Sequence, residues 1–176
     1  ETILIDGIFD EKLTSNKAVN LIGDDPETDG IVYTGTGRVL YFTNQILNGF
    51  TVANLKISGG NVTNANGSGI LLDKSKGDKI TLKNLIIENN AAKGTSNGQG
   101  GGISINTVNV DIIDCIIRNN SSRNGGGIHI GTNNAANNPD VNKVVNIERT
   151  LIHGNTTSLT GGGFYVYAGG ADVGLT

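Results

Sequence analysis

The stretch ITLKNLIIENN, residues 80–90, decides how the rest of the chain is read. It recurs as VDIIDCIIRNN at 110–120 and as VVNIERTLIHGN at 144–155, and FTVANLKISGG at 50–60 is a more divergent copy. A glycine run recurs with it: GSGI at 67–70, GGGI at 100–103, GGGI at 125–128 and GGGF at 161–164. Ile87 to Ile117 is 30 residues and Ile117 to Ile152 is 35, while Gly102 to Gly127 is 25 and Gly127 to Gly163 is 36. Self-similarity at such a period, with insertions of variable length, is the mark of a stacked-repeat solenoid.

Within each copy the apolar residues fall two apart, as in Ile80, Leu82, then Leu85, Ile87, and in Val110, Ile112, then Cys115, Ile117. The glycine runs lead into the same alternation at Ile103-Ser104-Ile105, Ile128-His129-Ile130 and Phe164-Tyr165-Val166. A period of two signals strands, and no window carries a helical stripe. Short strands on a repeat of about 30 residues can stack in register, each coil bonding to the next about 4.8 Å away. The expected fold is all-β: a right-handed parallel β-helix with three strands per coil. A leucine-rich repeat would need a fixed Leu frame, which is missing.

The composition agrees. Of 176 residues, four are Phe, four are Tyr and none is Trp or Met, too few large side chains for an ordinary globular core. A β-helix has a thin core filled by stacked Ile, Val and Leu, and its corners use the 27 Gly and abundant Asn. The formal net charge of −3 supplies no basic patch for phosphates, so nucleic acid is not an expected partner. No apolar run approaches the length of a membrane span. The one cysteine, Cys115, takes the frame position of Leu85 and reads as a small buried hydrophobe.

The repeat divides the chain into an opening coil at 1–34, repeat coils at 35–66, 67–99, 100–124 and 125–160, and an incomplete sixth coil at 161–176. Such a chain reads as one β-helix domain from a longer protein. In 1–34, the order strand, Asp-Gly turn, aromatic, acidic residue and Val19-Asn20-Leu21-Ile22-Gly23 resembles the opening coil of the pectate-lyase-like β-helix superfamily. Across 67–166, the pairing of Asn after each strand with a Gly-Gly-Gly-apolar run resembles the repeats of bacterial polymorphic outer-membrane proteins. That second resemblance implies a secreted or cell-surface protein of adhesin type, and it implies no chemistry.

Three groups of residues are candidates for a role. Asn90, Asn120 and Asn155 recur at one corner, where an Asn can hold a left-handed turn and bond the Asn above it as a ladder. His129, Tyr165 and Arg118 hold the groups a polysaccharide lyase requires: a base, an acid for the leaving oxygen, and a cation for the uronate carboxylate. The cluster Asp24, Asp25, Glu27 and Asp29 is a candidate for Ca²⁺; no other cofactor is expected. Arg118 also stands beside Glu88 in an outward column and pairs with it on a plainer reading. Leu71, Ser104, His129 and Tyr165 form a second outward column.

Ile86, Ile116 and Leu151 point opposite to Ile87, Ile117 and Ile152, which makes an apolar stripe suited to a loop, to another protein or to the rest of a larger surface protein. The long insertion 131–143 is a candidate binding loop. The expected function is a non-enzymatic module of an exported bacterial surface protein, serving as scaffold or binding surface, with carbohydrate as a possible ligand. The alternative is a fragment of a lyase or hydrolase acting on uronate polysaccharide.

Overall fold

A computed structural model describes residues 1–43, 48–73, 79–106, 108–131, 143–167 and 171–175, and every regular element among them is a β-strand. The strands form four parallel sheets that run the length of a β-helix. The first sheet stacks Thr2–Leu4, Asn20–Ile22, Thr51–Ala53, Ile80–Lys83, Val110–Ile113, Lys143–Glu148 and Ala171–Leu175. The second stacks Ile8–Phe9, Gly30–Val32, Lys56–Ser58, Ile86–Glu88, Ile116–Arg118 and Leu151–His153. The third stacks Leu13–Ser15, Leu40–Phe42, Ile70–Asp73, Ile103–Asn106, Ile128–Gly131 and Phe164–Tyr167. A fourth, made of Asn61–Thr63, Ala91–Lys93, Ser121–Asn124 and Thr156–Thr160, is inserted between the second and third in the later coils only.

The count differs from the sequence division. Thr2 pairs with Asn20, only 18 residues on, so residues 1–34 hold one whole coil and much of the next. The chain goes round six times and starts a seventh turn at Ala171. The first coil is short, and its residues do not repeat the Asn and Gly signals that mark the later coils.

Packing follows from register. Ile57, Ile87 and Ile117 occupy equivalent positions on successive coils of the second sheet, and all three are fully buried. Ile152 continues this column and is half-buried. Val52, Leu82, Ile112 and Ile147 make the matching column in the first sheet. Leu40, Ile70, Ile103 and Ile128 make it in the third. Each side chain therefore rests on a similar one from the coil below, at strand spacing. Cys115 lies between the neighbouring turns as expected, 1% exposed, and burial pushes its thiol up to about 11. At the N-terminal end the inward column is bare: Ile3 is 42% and Phe9 43% exposed, around a pocket of about 290 Å³ that Leu13 and Ile31 also line.

The corner before the third sheet needs glycine. Gly67, Gly100, Gly125 and Gly161 share a φ of 65–69°, and a Cβ on Gly101 would meet the backbone oxygens of Ser121 and Gly126. The insertion 131–143, apart from its two end residues, lies outside the described residues.

Ile117 tests the frame. We predict that Ile117→Asp, which would bury a charge between Ile87 and Ile152, abolishes cooperative unfolding. A thermal melt followed by circular dichroism checks this, and a near-normal melting temperature would show that the column does not face the core.

Candidate functional site

The Asn column is built from two adjacent residues with different tasks. Asn89 and Asn119 hold the left-handed turn, with φ of 56° and 55°, and Gly59 and Gly154 hold it in the flanking coils. The left-handed turn therefore belongs to the preceding residue and not to Asn90, Asn120 and Asn155. These three point inward and bond one another. Asn90 Nδ2 donates to Asn120 Oδ1 at 3.0 Å, and Asn120 Nδ2 donates to Asn155 Oδ1 at 3.0 Å. The same oxygens accept the backbone N–H groups of Asn90 and Asn120, at 3.0 and 2.9 Å. Gly60 N–H donates to Asn90 Oδ1, which anchors the ladder on a coil that has no Asn at this place. Asn90 and Asn120 have no exposed surface, so the bonds between them are made out of water, where an unmade one is costly.

A second polar column turns the corner between the first and second sheets, and the sequence reading missed it. Asn54, Asn84, Asp114 and Arg149 all have positive φ, between 44° and 57°. Asn84 Nδ2 donates to Asn54 Oδ1 at 2.9 Å, and Arg149 forks onto both oxygens of Asp114 at 2.7 and 3.1 Å. The guanidinium holds the Asp114 carboxyl below its ordinary range. The signal was the residue before each of Leu55, Leu85, Cys115 and Thr150.

The proposed acid–base trio does not assemble. His129 and Tyr165 are partners on adjacent strands of the third sheet, with ring centroids 5.9 Å apart and planes inclined by 28°. Arg118 lies in the second sheet, where its Nε donates to Glu88 Oε2 at 2.7 Å. Alternation places Leu71, Ser104 and His129 outside the sheet, yet they are 5%, 0% and 2% exposed. Alternation fixes the direction of a side chain but not whether it is covered. Ser104 Oγ and both ring nitrogens of His129 have no hydrogen-bond partner among the described residues, and desolvation lowers the His129 pKa to about 4. Ile86 is likewise buried, whereas Ile116 is half-buried and Leu151 is 56% exposed, so the apolar stripe is open only toward its C-terminal end.

The acidic turn is spent on backbone. Asp29 is buried and accepts from the N–H of Gly7 at 2.9 Å, Asp24 at 2.7 Å and Asp25 at 3.2 Å. These bonds hold its carboxyl below the usual range. Asp25 Oδ1 accepts from Glu27 N–H, and Glu27 reaches Lys56 at 3.5 Å. Asp24, Asp25, Glu27 and Asp29 thus form a closed turn and not a cation cage. Among the described residues no three His, Cys, Asp or Glu side chains gather to hold a metal ion. No helix among them is long and apolar enough to cross a membrane. No family model, curated protein or solved structure matches the chain.

Two outcomes follow. Asn120→Ala leaves the Asn90 N–H and the Asn155 side chain short of partners and is expected to cost about 2–4 kcal/mol in denaturant titration. Asn155→Ala, at the half-buried end of the ladder, is expected to cost less. His129 has a folded pKa of about 4 against an ordinary 6.5. Below pH 6.5 the unfolded chain takes up this proton first, so stability falls as pH drops toward 4 and then levels off for this group. The loss is about 3 kcal/mol, and His129→Phe should flatten this limb of the pH–stability curve. An unchanged limb would show that His129 is not held neutral.

Proposed function

We propose that this β-helix is a non-catalytic scaffold and binding module of an exported cell-surface protein. The observation that carries the reading is how the polar side chains are spent. The buried asparagines bond one another, Asp29 closes a turn, and Arg118 pairs with Glu88. Groups committed to neighbouring coils stiffen a rod, and they are not poised over a substrate. The chemistry of acid–base catalysis needs its groups within reach of one reacting atom, and Arg118 is on a different side of the solenoid from His129 and Tyr165. The recurring Asn and glycine signals, which resemble outer-membrane protein repeats, support a bacterial surface location. The exposed apolar side chains near the two ends of the solenoid, Ile3 and Phe9 at one and Leu151 at the other, suit contact with another part of a larger protein.

A polysaccharide lyase is the alternative, and the contact between His129 and Tyr165 is what favours it. Incubation with polygalacturonate separates the two, because a lyase leaves an unsaturated product that absorbs in the ultraviolet. No turnover is expected. Turnover that is lost in both His129→Ala and Tyr165→Phe, with the fold retained, would replace the scaffold reading with the enzymatic one. Labelling of intact source cells with an antibody to this chain tests its place at the surface.

A further inference from the structure

Outside the fourth sheet a groove of about 370 Å³ crosses three coils, from Lys93 and Gly94 through Ser121 and Arg123 to Thr156 and Ser158. Ala92 and Ser122 are the inward residues of its central strands, at 0% and 8% exposure, so their neighbours Ser121, Lys93 and Arg123 face the groove. Two strand spacings give the groove a length of about 10 Å, more than one small ion requires.

Its chemistry is one-sided. Residues 89–110, 115–139 and 149–171, which include every strand segment of the groove, contain no Asp or Glu. Neither Lys93 nor Arg123 belongs to any of the ion pairs among the described residues. Arg123 is nevertheless held in place. Its backbone N–H donates to Gly98 O at 2.7 Å, and Nη1 donates to Ser96 O at 3.4 Å. A guanidinium has five N–H donors, so this tie leaves most of the fork for a ligand and removes part of the cost of ordering it. The Ser122 and Thr157 hydroxyls bond backbone oxygens, whereas those of Ser121, Thr156 and Ser158 bond no described residue. The groove thus offers two unpaired cations beside three unused hydroxyls, in a chain whose carboxylates are concentrated elsewhere. Residues 1–29, in the first two coils, hold eight Asp and Glu against two Lys.

We propose that this groove binds the anionic groups, carboxylate or sulfate, of a linear acidic polysaccharide. Arg123 and Lys93 take the charges, and Ser121, Thr156 and Ser158 bond sugar hydroxyls. The inference rests on the reading of the module as a binding surface and names its ligand class. Polysaccharide suits the groove better than nucleic acid, because the groove presents hydroxyls and no aromatic face on which a base could stack.

Affinity electrophoresis through gels containing polygalacturonate, dextran sulfate or neutral dextran tests it. Retardation by at least one anionic polymer is expected, none by dextran, and weakening as salt rises. Whichever anionic polymer binds more tightly identifies the group recognised. Arg123→Gln should weaken binding about tenfold and Lys93→Gln severalfold, while Lys17→Gln, far from the groove, leaves it unchanged. Thermal melts confirm that the variants are folded. No retardation by either anionic polymer, equal retardation by dextran, equal binding of single-stranded DNA, or full binding by the Arg123→Gln/Lys93→Gln double variant would each overturn the proposal. Such a failure leaves the scaffold reading standing, because that reading is decided separately by the turnover and surface-labelling experiments.

Discussion

Everything in this structure depends on one constraint: each residue lies a single strand spacing above its counterpart in the coil below. A parallel ladder fixes that spacing near 4.8 Å, so a side chain's main neighbour is the one at its own position in the next turn. Like must then tolerate like. Branched aliphatic side chains do, which is why Ile57, Ile87 and Ile117 stack without exposed surface. Amides do because each can donate and accept, and the chain from Gly60 through Asn90 and Asn120 to Asn155 uses both capacities. Carboxylates do not. Where Asp114 enters a column, an arginine stands above it, and Glu88 is answered by Arg118 in the same way.

The same constraint explains what was legible in the sequence. The inward columns could be read because burial on one face forces a strict alternation. Ile86, Ile116 and Leu151 were correctly set opposite them, and the pairing of Glu88 with Arg118 followed from the frame alone. Position within the corner was harder. The ladder residues could be found by recurrence, but the left-handed backbone sits one place earlier, at Asn89 and Asn119, because the turn must be complete before the side chain can point inward.

Other features left weaker traces. The short first coil was merged with the second because it lacks the corner signals of the rest. The fourth sheet went unnoticed because its strands, such as Ala91–Lys93 and Ser121–Asn124, bury Ala, Ser and Asn and show no apolar alternation. The burial of Ser104 and His129 is not legible in the alternation, which fixes only the direction of a side chain. The separation of Arg118 from His129 and Tyr165, by contrast, follows from the repeat frame, which sets them on different strands of the coil, and the structure keeps them in the second and third sheets.

The change from a three-sided to a four-sided cross-section coincides with a change of charge. In the three-sided coils, residues 1–50, there are eight acidic and three basic residues, and beyond them eight acidic and ten basic. On a flexible chain such a difference would average out. On a rod whose ends are held apart by stacked coils, it becomes a permanent axial dipole. A dipole of this sense favours an approach to a negatively charged surface with the four-sided end leading. This preference acts over about one Debye length, roughly 10 Å at moderate salt. The direction of approach is thereby built into the order in which the coils follow one another along the chain.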